Sequence, residues 1–194
     1  MNKSINIAVV GLGQVGSYLL NELNVKKKDI ELKTGKKINV VAISARNINK
    51  KRQFKINKKI FFKNPLDIFD KINVDILFEA IGLSDGISKK VVETALKKKI
   101  HVITPNKALI SKHGNELAKI AELNNVNLEF EASVAGGIPI LRSIKEGLAT
   151  NKISKVYGIL NGTSNYILSE MENSNQSFSD VLKKAQKLGY AEPG

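Results

Sequence analysis

The chain has 194 residues, enough for one well-packed core or for one domain with part of a second, and its lack of cysteine excludes a disulfide framework, a cysteine metal site and a thiol nucleophile. Hydrophobic residues make up 42% and charged residues 25%, an ordinary globular balance, and the formal net charge of +13 is spread over short lysine clusters at predicted loops and helix ends, which points to a solvated basic surface rather than to nucleic-acid binding. No apolar run approaches the length of a membrane helix and no signal peptide is visible at the start, so a soluble, cytoplasmic protein is expected. Ile5 to Val10 is a near-continuous apolar run, the pattern of a parallel strand buried on both faces. Gly11, Gly13 and Gly16 then fit G-x-G-x-x-G, and Val15, Leu19 and Leu20 begin a helical stripe. In a strand–turn–helix, the first glycine makes the turn and the second lets backbone approach a pyrophosphate. The third lets helix and strand pack closely. A glycine-rich turn in another kind of βα unit would use the same residues.

Lys26 to Lys37 is polar and reads as a solvated loop or a helix extension, and Ile38 to Ser44 as the second strand. No acidic residue ends that strand. Arg46 follows it, with Lys50, Lys51 and Arg52 close behind. A carboxylate there holds the ribose of NAD, whereas an arginine suits a 2′-phosphate, so the pattern leans towards NADP(H) with NAD(H) possible; an exposed basic loop is the plainer reading. A short helix is expected from Pro65, a strand over Val74 to Ala80, a helix through Ile87, Val91, Val92, Ala95 and Leu96, and a short strand over Ile100 to Ile103. Thr104 is then a candidate N-cap with Pro105 at the first helical position, which puts Lys107 in the first turn. An ammonium there opposes the helix dipole unless it meets an anion or a reacting oxygen; a solvated surface lysine is the alternative. His101 and His113 have no spaced partner and read as structural or exposed.

Val126 to Glu131 reads as another strand, running into Ala132-Ser133-Val134-Ala135-Gly136-Gly137-Ile138-Pro139. Such a loop can turn carbonyls inward beside the Glu131 carboxylate, an oxygen environment that hard cations prefer, although a βα turn explains the same glycines. Ile153 to Leu160 is expected as a strand with an uncovered edge. Asn161, Thr163, Ser164 and Asn165 either cap the next helix or bind a polar ligand, and Phe178 to Gly189 reads as the last helix. The βα alternation predicts a Rossmann-type doubly wound parallel sheet over residues 1–132, followed by the start of a second α/β region at 133–194.

Together these motifs resemble homoserine dehydrogenase: GLGQVGS from Gly11, HVITPNKALI at 101–110, FEASVAGGIPI at 130–140, GILNGTSNYIL at 158–168 and LGYAEP at 188–193, in the family's order and spacing. The resemblance implies an NAD(P)-dependent oxidoreductase that interconverts L-homoserine and L-aspartate 4-semialdehyde in threonine and methionine biosynthesis. It implies that Gly11, Gly13, Gln14, Val15 and Gly16 bind the cofactor phosphates, Arg46 the adenosine side, and Lys107 the region of nicotinamide and substrate. Glu131 with the carbonyls of Val134, Gly136 and Ile138 would form a monovalent cation site, usually for sodium. Gly189 would lie near cofactor and cation, and Glu192 would hold the substrate. In the family a substrate-binding aspartate and a second lysine, the favoured acid–base group, follow Glu192, together with the rest of the dimerisation region. The chain is therefore expected to bind dinucleotide with impaired turnover, or to serve as a cofactor-binding, non-catalytic regulator or fragment. Aspartate-semialdehyde dehydrogenase, a chemical neighbour, requires a cysteine nucleophile and is excluded.

Overall fold

The structure, a computed structural model, describes residues 4–50, 52, 56–159 and 161–191. The chain divides into two compact units, Met1–Ile138 and Pro139–Gly194.

The first unit is built on six parallel strands: β1 (Ile5–Val10), β2 (Ile38–Ser44), β3 (Phe61–Phe62), β4 (Ile76–Glu79), β5 (His101–Ile103) and β6 (Leu128–Glu129). Their order is β3-β2-β1-β4-β5-β6. The chain winds outwards from β1 in one direction, returns, and winds outwards in the other, so the order reverses between β1 and β4. Side chains alternate between two cores. Ile7, Val9 and Phe78 enter one core with Leu19, Leu20 and Leu23 of α1 (Gln14–Val25) and Ile30 of α2 (Lys27–Thr34). Ala8, Val10, Leu77 and Val102 enter the other. There they meet Val91, Val92, Ala95 and Leu96 of α4 (Ile87–Lys97) and Leu109, Leu117 and Ala121 of α5 (Lys107–Leu123). Burial on both faces is why β1, β2 and β4 are mostly apolar. A short α3 (Ile68–Lys71) follows a tight helical turn at Pro65–Asp67. The β1–β2 register slips once, from Ile7 opposite Val40 to Ala8 opposite Ala42. Val41 and Ala42 consequently both face the α4–α5 core, and Ile43 the other.

Two expectations change here. The candidate cap at Thr104 gives way to Asn106, whose side-chain oxygen accepts from the Leu109 N–H at 3.1 Å, so α5 starts at Lys107 and Pro105 precedes it. Thr104 instead makes a turn before the helix: its hydroxyl accepts from the Asn106 N–H at 3.1 Å and donates to Glu79 at 2.6 Å. The strands expected over Val74–Ala80 and Val126–Glu131 are formed only at Ile76–Glu79 and Leu128–Glu129, where neighbouring strands pair with them.

The second unit contains α6 (Ile140–Arg142), a wider helical turn at Ser143–Gly147, α7 (Gly162–Ser174) and α8 (Phe178–Lys187). Asn161 caps α7, accepting from Ser164 N–H at 3.0 Å, and Ser177 caps α8, accepting from Asp180 N–H. Helices α7 and α8 form a hairpin around Ile167, Val181 and Ala185. It is held by the Lys184–Glu170 ion pair, the Thr163 hydroxyl donating to the Tyr190 carbonyl, and the Tyr166 and Tyr190 rings at 4.9 Å. The strand expected over Ile153–Leu160 is not formed: residues 152–159 are irregular, and Leu160 lies outside the described residues. Among the described residues this unit has no strand to pair with it, and a lone strand leaves its backbone groups to water.

Candidate functional site

The strand-order reversal opens a cleft of about 430 Å³ at the carboxyl ends of β1 and β4, the place where open α/β sheets take ligands. Its floor is Val10 to Gly13 on one side and Ala80, Ile81 and Leu83 on the other. The three glycines differ in what surrounds them. Gly11 has φ +93, and a Cβ there would lie 2.3 Å from the Ala80 carbonyl oxygen; its N–H donates to the Ser44 carbonyl at 2.9 Å. Gly16 is buried, and its Cβ would lie 1.9 Å from the Gly11 carbonyl oxygen, so α1 rests directly on the turn. Gly13 faces open space, with no atom within 4 Å of a built Cβ. It also caps α1 without a side-chain hydrogen bond, and no acidic residue occupies the first turn. Backbone N–H groups at that helix end are thus available to an anion, and the open side of Gly13 leaves room for a pyrophosphate. Gln14 and Val15 are exposed at the start of α1.

Arg46, Lys50, Arg52 and Lys63 line the other side of the cleft. Arg46 is exposed, and its guanidinium makes no hydrogen bond or ion pair among the described residues. Arg52 behaves differently. Its guanidinium donates to the carbonyls of Asn47 at 2.9 Å, Lys50 at 2.9 Å and Ile48 at 3.2 Å, which braces the loop carrying Arg46.

Lys107 is the first residue of α5, exposed and without a hydrogen bond or ion pair among the described residues. Its charge therefore stands against the helix dipole with no anion beside it. The loop before α4 is fastened to α5 farther along: the Asp85 carboxylate accepts from Lys112 at 2.7 Å and Ser84 at 2.6 Å and meets His113 at 2.9 Å. The Lys112 hydrogen bond, then those of Ser84 and His113, hold Asp85 far below the ordinary carboxylate range. His113 is thus held by the Asp85 carboxylate, and His101 accepts from the Asn127 N–H at 3.0 Å.

Glu131 opens a helical turn at Glu131–Ser133, and Val134 follows in extended conformation. Ala135 (φ +54) and Gly136 (φ +62) then reverse the chain before Ile138, which is exposed. The donor chemistry there is one carboxylate among backbone carbonyls. Among the described residues no group of three or more His, Cys, Asp and Glu could hold a metal ion.

Two family models match the chain. The homoserine dehydrogenase NAD-binding domain covers residues 11–131, and homoserine dehydrogenase covers residues 139–194. The chain belongs to the homoserine dehydrogenase family. The homoserine dehydrogenase of Neisseria gonorrhoeae is 42% identical over 98% of this chain and 43% of its own length, and that of Bacillus subtilis is 37% identical over 98% and 44%. A crystal structure of a homoserine dehydrogenase from Thiobacillus denitrificans superposes with a TM-score of 0.79 at 40% identity, covering 99% of this chain and 44% of that one. A hyperthermophilic archaeal homoserine dehydrogenase mutant, solved in complex with NADPH, shares the fold at a TM-score of 0.75 and 23% identity, over 97% of this chain and 62% of that one. The chain thus spans less than half the length of the curated homoserine dehydrogenases it matches.

Of the other expected site residues, Gly189 lies in the second unit with φ +79, just past α8, and Glu192 lies outside the described residues. Two residues of the chain escape motif reading. Lys63 reaches the cleft only because β3 lies beside β2. Glu79 is a carboxylate within an apolar strand, and that mismatch was its available signal. Among the described residues, no helix is long and apolar enough to cross a membrane.

Proposed function

We propose that this chain provides the cofactor domain, residues 1–132, and the start of the catalytic region, residues 133–194, of a cytoplasmic homoserine dehydrogenase acting between L-homoserine and L-aspartate 4-semialdehyde. The observation that carries this reading is the cleft at the strand-order reversal, open at Gly13 and rimmed by Arg46, Lys50, Arg52 and Lys63, in a chain of this family. NADP(H) held there supplies or accepts the hydride. Gly11, Gly13, Gln14, Val15 and Gly16 offer backbone N–H groups and space to the pyrophosphate. Arg46 takes the 2′-phosphate, supported by a guanidinium with no partner among the described residues and by the absence of an acid at the end of β2. In this reading NAD(H) is the weaker ligand. Lys107 offers an ammonium to the substrate oxygen as its charge changes. Glu131 with the carbonyls of Val134, Gly136 and Ile138 takes a sodium ion; a carboxylate followed closely by a turn of positive φ at Ala135 and Gly136 supports an oxygen site there. Gly189 contributes near cofactor and cation, and Glu192 takes the ammonium of homoserine.

The test is fluorescence titration of NADPH and NADH, with homoserine turnover assayed on the same sample. NADPH is expected to bind about tenfold more tightly than NADH, and Arg46→Ala to erase most of that difference. Equal affinities in the unaltered chain overturn the NADP assignment, and failure to bind either cofactor overturns the whole reading. Turnover on that sample measures how much of the reaction these residues carry by themselves.

A further inference from the structure

Glu79 ends β4 with none of its surface exposed, yet no cation is among its partners in the described residues. Four neutral donors meet it instead. The Ile81 N–H donates to Oε1 at 2.7 Å and the Ser88 hydroxyl at 3.2 Å, the Thr104 hydroxyl donates to Oε2 at 2.6 Å, and the Asn106 side-chain amide lies 3.5 Å from both oxygens. A buried acidic group is costly unless its oxygens are satisfied, and an apolar core in place of the carboxylate and its donors together would carry no such cost. Stability alone therefore gives little reason for a glutamate at this position.

What the donors have in common is where they lead. Ile81 begins the loop that floors the dinucleotide cleft. Asn106 caps α5, and its amide also donates to the Leu83 carbonyl of that floor at 2.9 Å. The Asn106 N–H donates to the Thr104 hydroxyl at 3.1 Å, which fixes the hydroxyl that Glu79 accepts from. Lys107 is the next residue.

We propose that Glu79 is a positioning residue: its buried carboxyl group locks the Asn106–Lys107 turn to the Ile81–Leu83 floor, so that the Lys107 ammonium and the reactive end of a bound dinucleotide are held in one register. This rests on the cofactor and Lys107 assignments above. Glu79 touches neither cofactor nor substrate; it acts through Asn106 and Ile81.

Two measurements on the whole chain test it. The first is acetylation of Lys107 by an amine-reactive ester, followed by mass spectrometry with and without NADPH, with Lys97 as internal control. NADPH is expected to slow acetylation of Lys107 about tenfold and leave Lys97 unchanged. In Glu79→Gln, which keeps the shape but turns an NH₂ group towards donors, that protection is expected to fall below about twofold while cofactor affinity changes less than about threefold. Glu79→Asp is expected to recover part of it. Should Glu79→Gln fail to fold, Asn106→Ser keeps a helix cap but lacks the amide that bridges Leu83 and Glu79, and the same loss is expected. The second measurement is amide exchange without cofactor. Exchange at Lys107–Leu109 and Ile81–Leu83 is expected to rise together, by about tenfold, while the amides around Leu117 in the same helix do not change. Full NADPH protection of Lys107 in a folded variant, or unaltered exchange at Lys107–Leu109, overturns the proposal. If the unaltered chain binds no NADPH, the functional reading fails, and the exchange measurement still decides whether Glu79 holds the turn.

Discussion

The two units bury their apolar residues very differently. In the first, strands and helices close over two continuous cores, and Val9, Leu77, Leu96, Val102 and Leu117 are entirely enclosed. In the second, three buried residues form the core of a helical hairpin, while Tyr157 is 86% exposed, Ile159 76% and Leu168 66%. Local signals are comparable in the two: α7 and α8 have well-formed caps at Asn161 and Ser177. What separates the units is the quantity of surface that each can remove from water. A parallel sheet covered on both sides multiplies buried area with every strand added, whereas one hairpin has a single seam.

That contrast can be broken by mutation. The largest effect is expected from Leu77→Ala, which empties a fully buried site in the sheet and should cost about 4 kcal/mol in a urea titration. Val181→Ala should cost about 2 kcal/mol, and only in the transition of the second unit. Equal losses in one shared transition would show that the two cores unfold as one.

The glycine turn sharpens the contrast within the first unit. Gly16→Ala forces a methyl group to within 1.9 Å of the Gly11 carbonyl, so α1 must lift from the turn; a loss of about 3 kcal/mol is expected, with loss of NADPH binding. Gly13→Ala meets no protein atom and should leave the unfolding midpoint alone while weakening NADPH about tenfold. A Gly13→Ala protein that binds NADPH normally would mean that the cleft does not take the pyrophosphate at this point.

How far each unit could be read beforehand follows the same division. Strands β1 and β2 have the bounds expected from their sequence, because residues apolar on both faces leave few alternatives. Strands β4 and β6 are shorter than their apolar runs, since a strand ends where its neighbour does. The cap of α5 lies two residues beyond the expected Thr104: Thr104 and Asn106 are both good caps by type, Thr104 accepts from the Asn106 N–H in the preceding turn and donates to Glu79, 25 residues away, and Asn106 caps the helix itself. Ile153–Leu160 had the composition of a strand and lacked a partner. In the cleft, the glycines and Arg46 were readable from spacing, whereas Lys63 required knowing the strand order.

The smallest effect expected is electrostatic. Asp85 is held below its ordinary value of 3.8 by Lys112, Ser84 and His113, so its contribution is present above that value and is lost as pH falls through the depressed one. Below about pH 4, urea midpoints should therefore fall slightly faster in the unaltered chain than in Asp85→Asn. Identical acid limbs would show that the loop gains nothing from this carboxylate.

The slip between β1 and β2 has a consequence for timing along the chain. Each residue of a strand reverses the side from which the next emerges, so one extra residue changes the parity of everything after it. With Val41 absorbed at the slip, Val10 stands opposite Ser44 rather than Ile43, and Arg46 arrives at the mouth of the cleft two residues later. Without the slip, with Val41 paired to Ala8, the basic rim would be carried about 3.3 Å farther along the strand, with inward and outward positions exchanged. On the NADP(H) reading proposed above, the placement of Arg46 for a 2′-phosphate would thus be clocked by a hydrophobic valine in the middle of the strand.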